Sequence, residues 1–271
     1  MAATPSTRVI LIVLDGLRHT TARETLGWLE GQVRAGLAGC HRIEAELPAI
    51  SRPLYETILT GRSPAQHGIV SNHIRRASEG DSVFSRVRAA GGRTAAAAYH
   101  WVSELYVSTP FDPARDRLLL DHDGAITDGL FYWDDAYPDD HLFADAQALI
   151  ARGQPQFLLL HPMNVDDAGH KWGGASRQYR DAARAQGDLL ARYLPGWQAQ
   201  GYDIIVTADH GMSDDHSHAG PLPDEVEVPF YTLGFTLDTA PLQTQIAGLC
   251  CRLAGVDPGD LPPYAGGIGR P

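Results

Sequence analysis

Acidic and imidazole side chains recur in this sequence directly after apolar runs, where a chain leaving a β-strand would present them. Asp15 follows Val9-Ile10-Leu11-Ile12-Val13-Leu14, Asp166 and His170 follow Phe157-Leu158-Leu159-Leu160, and Asp209 and His210 follow Ile204-Ile205-Val206. His216 and His218 come shortly afterwards. Such a set supplies mixed oxygen and nitrogen ligands for two transition-metal ions, each keeping coordination positions open. Asp166 and His170 are four residues apart, so they share a face if that segment is helical. Ser51 adds a candidate nucleophile ahead of a short helical run, where amide N–H groups and the helix dipole favour an anion.

Each piece also has a plainer use. A serine before a helix is a cap, Asp15-Gly16 is a turn, Asp166-Asp167 caps the segment after it, and a histidine-rich stretch is a solvated loop. Those uses leave one thing unexplained: every candidate lies on the same edge of one expected sheet, the edge at which open α/β sheets bind ligands.

The elements that must position these residues can be read from periodicity. Residues 8–14, 94–99, 156–161 and 203–208 are continuous apolar runs of the kind that form buried parallel strands. A loosely alternating stretch, 43–50, delivers Ser51, and a further short strand is expected at 229–233. Helices are expected over about 20–35, 54–60, 81–90, 141–151, 176–193 and 242–254, with Ser51 as N-cap and Pro53 near the first turn of the second. Residues 64–73 read as an irregular functional loop. The alternation of strand and helix predicts an α/β layered fold. It breaks between residues 100 and 140, a stretch rich in aromatics and acids without clear periodicity. That stretch is expected to be an insertion that shapes a pocket, or else a surface subdomain with its own aromatic core. The whole chain, 1–271, then reads as a single catalytic domain carrying that insertion, without internal repeats.

Composition excludes some functions. With 271 residues, 44% of them hydrophobic, the chain can bury a full core. Its 22 basic and 33 acidic residues leave a net charge of -11, which argues against a nucleic-acid polymer as partner, since such binding neutralises many phosphates with Lys and Arg. Cys40, Cys250 and Cys251 do not make a disulfide framework and fit a reducing compartment. The run at 9–14 leads straight into Asp15 and lacks a basic leader, so it reads as a strand and not a signal peptide. No stretch reaches the roughly 20 apolar residues of a membrane span. A soluble, cytoplasmic protein with no membrane partner is expected.

Taken together, the motifs resemble the alkaline phosphatase superfamily, and most of all its nucleotide pyrophosphatase/phosphodiesterase branch. They are Leu14-Asp15-Gly16, Ser51 with Pro53, Leu59-Thr60-Gly61, His67-Gly68-Ile69-Val70-Ser71-Asn72, Asp166 with His170, Asp209-His210-Gly211-Met212, and Ser217-His218 ahead of Val228-Pro229-Phe230. They occur in the family's chain order and span residues 9 to 230. The resemblance implies a three-layer sandwich around a mostly parallel sheet and two Zn2+ ions. One zinc would be held by Asp15, Asp209, His210 and the oxygen of Ser51, the other by Asp166, His170 and His218. His218 matches the family's last histidine better than His216 does, and Asp166 matches its carboxylate better than Asp167. Ser51 would be the catalytic nucleophile, forming a covalent phosphoryl ester, and Asn72 would contact a non-bridging phosphoryl oxygen. The substrate would be small and phosphorylated, or a phosphonate.

Two departures bear on specificity. The family commonly has threonine as nucleophile with an aromatic after it, whereas Ser51 is followed by Arg52. An arginine there would pair with a second charged group on the substrate, or else point to solvent. Together with Arg52, Trp101 and Tyr106 of the aromatic stretch are the candidate substrate contacts. The closest rivals are a phosphonoacetate hydrolase-like or phosphomonoesterase activity, and a catalytically silent metal- or phosphate-binding protein. A sulfatase is disfavoured, because the signature beginning Ser51-Arg52-Pro53 lacks its arginine at the fifth position and a histidine-rich ligand set suits zinc better than calcium.

Overall fold

The computed structural model describes residues 8–270; the outermost residues of the span 1–271 lie outside that range. Eight strands form one sheet: β1 (Arg8–Val13), β2 (Ala38–Glu44), β3 (Thr94–Tyr99), β4 (Leu118–Leu119), β5 (Asp128–Tyr132), β6 (Phe157–Leu160), β7 (Tyr202–Thr207) and β8 (Glu227–Leu233). Their order across the sheet is β2-β8-β7-β1-β6-β3-β5-β4. The five strands β7, β1, β6, β3 and β5 are mutually parallel, while β8 runs antiparallel to both β7 and β2. The expected α/β class is what the chain adopts.

The five parallel strands have no exposed face, so both sides must be covered by helices. Helices Asp139–Gly153, Arg177–Ala199, His19–Thr25 and Gly27–Arg34 form one packed group, and Val83–Ala89, Ile246–Ala254 and Ser51–Thr60 form another. The β3 run Thr94-Ala95-Ala96-Ala97-Ala98-Tyr99 is buried throughout, and its small side chains let helices pack close against it. Nearly all buried apolar side chains belong to one continuous core.

Several expectations need correction. The helix read over 20–35 is two helices meeting at Leu26. The strand before Ser51 is Ala38–Glu44 and not 43–50, because its partner is β8, in register from Ala38↔Leu233 to Glu44↔Glu227. Helix Arg177–Ala199 runs on through Pro195, past the end expected near residue 193. The burial of Leu194 and Trp197 and the Trp197 Nε1 bond to Gln147, 2.8 Å, offset the hydrogen bond that proline removes.

Residues 100–140 are the largest difference. They are not appended: they contain helix His100–Tyr106 and strand β5, which pairs with β3 from Ala95↔Asp128 to Tyr99↔Tyr132 inside the main sheet, while the stretch between holds only the short elements Pro113–Asp116 and Leu118–Leu119. The aromatic density reflects this, since Phe131 and Tyr132 are core residues. Among the described residues, no helix is long and apolar enough to cross a membrane.

Candidate active site

Strand polarity alone brings the candidates together. β7, β1 and β6 are adjacent and parallel, so Asp209-His210, Asp15 and His161 leave the sheet at one edge. The antiparallel β8 starts at that edge, which delivers His218 from the segment before it. β2, antiparallel to β8, ends there and feeds Ser51. The loop after β6 turns into helix Asn164–Trp172, which carries Asp166 and His170 on one face.

The turn after β1 depends on glycine. Gly16 has φ +70°, and a Cβ at this position would meet Asp166 Oδ1 at 2.7 Å and the Asp166 backbone at 2.9 Å. Tyr179 donates to Gly16 O (2.6 Å) and accepts from Arg18 N–H (3.0 Å), holding the turn from helix Arg177–Ala199. Gln243 Nε2 donates to Asp209 O at 2.7 Å and fixes the other ligand turn.

At the centre, Ser51 Oγ lies 3.0 Å from His210 Nε2. His210 Nε2 is also 3.4 Å from Asp15 Oδ1 and 3.3 Å from Asp209 Oδ2. Next to it, His218 Nε2 lies 3.2 Å from His170 Nε2 and 3.8 Å from Asp166 Oδ1. The rings of His210 and His218 stack with centroids 3.7 Å apart.

The other nitrogens of these rings settle their tautomers. His210 Nδ1 faces Gly211 O at 2.9 Å, His218 Nδ1 faces Ala49 O at 2.6 Å, and His170 Nδ1 faces His216 O at 3.0 Å. A carbonyl only accepts, so each Nδ1 carries the proton and each Nε2 presents a lone pair to the centre. Asp15 Oδ1, Asp166 Oδ1 and Asp209 Oδ2 are buried there without a hydrogen-bond partner among the described residues.

Three buried carboxylate oxygens and three imidazole nitrogens converging with only the Ser51 hydroxyl as a donor beside them are a poor arrangement for a protein alone and a suitable one for cations. Asp166, His170 and His218 form one set within metal-binding distance of one another, and Asp15, Asp166 and His210 another. Asp209 joins the second through His210. The residues therefore fit a bound metal on their own geometry.

The electrostatics point the same way. Burial pushes the Asp15 carboxyl up, but donation from His161 and the nearby His210 outweigh it and hold Asp15 at about 2. Burial, and next the charge of Asp15, push Asp166 and Asp209 well above the usual carboxylate range. Burial also lowers His210 and takes His218 down to about 3, keeping both neutral, the form in which an imidazole can ligate a metal.

Ser51 stands at the first turn of helix Ser51–Thr60, one position inside the expected cap; Ile50 occupies the N-cap. Arg52 N–H donates to Asn72 Oδ1 at 3.0 Å. One amide expected to face a substrate anion is thereby used to orient Asn72.

Two of the three expected substrate contacts are placed differently. Arg52 is wholly buried; it pairs with Glu104 at 2.5 Å and lies 4.7 Å from the Trp101 ring, so its charge is satisfied within the protein and does not face solvent or a substrate group. Tyr106 donates to Glu56 at 2.7 Å and packs on Phe84, which commits it to the interior. Trp101 is half-buried, with its ring centroid 6.2 Å from that of Tyr55. The structure brings His218 and not His216 to the cluster, and Asp166 and not Asp167, whose carboxylate pairs with Lys171 at 2.7 Å.

Sequence reasoning missed Tyr55 and His161, both of which donate to Asp15 Oδ2, His161 at 3.0 Å. Two signals were present: Tyr55 lies one helical turn after Ser51, and His161 directly follows β6.

A family model described as type I phosphodiesterase / nucleotide pyrophosphatase matches residues 9–224. The chain is 22% identical over 245 residues to the human GPI ethanolamine phosphate transferase 2 catalytic subunit, covering 86% of this chain and 24% of that protein. It is 24% identical over 262 residues to GPI ethanolamine phosphate transferase 1 of Yarrowia lipolytica, covering 86% and 27%. The chain thus spans about a quarter of the length of these curated relatives. Murine ectonucleotide pyrophosphatase / phosphodiesterase 5 shares the fold with a TM-score of 0.75 at 13% identity, over 96% of this chain and 97% of that one. Phosphonoacetate hydrolase from Sinorhizobium meliloti 1021, in complex with phosphonoformate, gives 0.56 at 18% identity over 76% and 57%.

Proposed function

The chain belongs to the type I phosphodiesterase / nucleotide pyrophosphatase family, and from that premise we propose that it is a two-zinc hydrolase of phosphodiester or pyrophosphate bonds that works through a phosphoryl ester on Ser51. One observation carries the reading: Ser51 Oγ lies 3.0 Å from His210 Nε2, inside a cluster where Asp15 Oδ1, Asp166 Oδ1 and Asp209 Oδ2 are buried with no hydrogen-bond partner among the described residues. Asp15, Asp209, His210 and Ser51 would hold one zinc, and Asp166, His170 and His218 the other. Bound zinc supplies Lewis acidity, lowering the pKa of the serine hydroxyl and of water and drawing charge from the phosphoryl oxygens.

The chain's own residues do the rest. Ser51 Oγ attacks phosphorus as the leaving-group oxygen departs, and water then cleaves the serine ester and restores the hydroxyl. Asn72, with its carbonyl oxygen held by Arg52 N–H, is set to donate from Nδ2 to a non-bridging oxygen. Trp101, half-buried beside Tyr55, offers an apolar wall to the substrate. The substrate is a small phosphorylated or phosphonate molecule, with neither a nucleic-acid polymer nor a membrane as partner. Three free thiols support a cytoplasmic setting.

A second reading rests on the likeness to ethanolamine phosphate transferases over most of this chain: the serine ester would pass its phosphoryl group to an alcohol in place of water. The test is zinc content together with turnover of bis-(p-nitrophenyl) phosphate, p-nitrophenyl phosphate and phosphonoacetate, with and without an alcohol acceptor. Diester turnover that needs zinc and is lost by at least about a thousand-fold in Ser51→Ala is expected. Undiminished turnover in Ser51→Ala removes the serine route. Bound zinc without turnover on any of the three substrates turns the reading towards a binding protein.

A further inference from the structure

The two oxygens of Asp15 have different surroundings. Oδ2 accepts hydrogen bonds from two side chains, Tyr55 Oη and His161 Nε2, the latter at 3.0 Å. Oδ1 is buried, has no partner among the described residues and faces His210 Nε2 at 3.4 Å.

The two donors have independent anchors. His161 N–H donates to Ala97 O at 3.0 Å and its carbonyl accepts from Tyr132 Oη at 2.7 Å, so its backbone is pinned on both sides. Its Nδ1 has no partner among the described residues, and the ring borders a small apolar cavity lined also by Val13, Ile58, Leu59, Val102 and Leu159. With no partner for Nδ1, the ring proton belongs on Nε2, where it is donated to Asp15. Tyr55 comes from the nucleophile's own helix, one turn after Ser51, and meets the His161 ring edge-on with centroids 4.5 Å apart.

We propose that Tyr55 and His161 are positioning residues for the metal centre: together they saturate Asp15 Oδ2, leave Oδ1 as the oxygen offered to a zinc ion, and through Tyr55 lock the Ser51 helix to that ligand. The inference rests on the zinc reading given above. Outer donors of this kind fix a ligand's rotamer before the metal arrives, and removing one weakens metal binding without removing a ligand.

The test measures zinc affinity of the metal-stripped protein by competition with a chromophoric chelator, alongside circular dichroism and melting of the apo form. Tyr55→Phe and His161→Leu are each expected to stay folded and to weaken the tighter zinc by about 10- to 100-fold. His161→Gln, which keeps an N–H donor near the Nε2 position, should stay close to wild type. Turnover lost at low buffered zinc should return at saturating zinc. Folded Tyr55→Phe and His161→Leu proteins that hold zinc as tightly as wild type would overturn the positioning role while leaving the zinc reading intact. Apo forms that lose their fold would mark the pair as structural and overturn it as well. A wild-type protein that takes up no zinc would overturn the proposed function itself.

Discussion

His170 Nε2 and His218 Nε2 face each other at 3.2 Å, each ring giving its Nδ1 proton to a backbone carbonyl. Two lone pairs at that distance repel unless a cation lies between them and Asp166. His218→Ala is therefore expected to lower zinc from two ions per chain to one, read by elemental analysis of protein dialysed against a fixed zinc activity. The melting-temperature rise on zinc addition should shrink accordingly, since each bound ion stabilises the folded state by mass action. Two retained ions would count against the ligand set.

Asn72 is oriented by a backbone amide of helix Ser51–Thr60. Asn72→Ala is expected to reduce kcat/KM for a diester by about 10²-fold or more, the usual effect of losing one transition-state donor. Zinc content should not change. Steady-state kinetics that show only a KM increase would assign Asn72 to ground-state binding.

Gly16 holds a left-handed turn against Asp166. Gly16→Ala should destabilise the fold by about 1–3 kcal/mol from the backbone conformation alone, and should weaken zinc binding as Asp166 is pushed aside. Denaturant melts and zinc titration of the variant check both.

The buried Arg52–Glu104 pair predicts a stability phenotype where a charge-reading arginine would give a specificity phenotype. Glu104→Ala leaves a guanidinium uncompensated in the interior, at a cost of about 3–5 kcal/mol. Chemical denaturation measures it. An unaltered melt accompanied by a changed preference between mono- and diesters would return Arg52 to the substrate.

Asp139, which accepts from the first turn of the helix carrying Asp166 and His170, gives a pH dependence. Burial raises its carboxyl from 3.8 to about 7, against donation from Asn164 N–H, Met163 N–H and Gln186. Below about pH 4 the group is protonated both folded and unfolded. As pH rises towards 7 the unfolded chain ionises first, so stability falls through that window, by up to about 4 kcal/mol from this group, and levels off above it. The stability of Asp139→Asn relative to wild type should increase from pH 4 to pH 7; a flat difference would show that Asp139 is ionised in the fold.

The sequence by itself determined the α/β class and the ligand types, because apolar β-branched runs, glycine turns and Asp/His at strand exits are local features. Asp166 and His170 could be placed on one face from their spacing alone. What only the tertiary structure decided is which atoms meet. The order β7-β1-β6 sets Asp209, Asp15 and His161 side by side, although they are far apart in the chain. The antiparallel pairing of β8 with β7 and β2 brings His218 and Ser51 to the same edge. Residues 100–140 looked irregular because β5 is short and its partner β3 lies some thirty residues earlier. Arg52 looked like a substrate contact because nothing local reveals that Glu104 arrives to neutralise it. Periodicity and turn chemistry act over a few residues. Strand order, and with it the pairing of buried charges and the division of the two Asp15 oxygens, is decided by how the whole sheet packs.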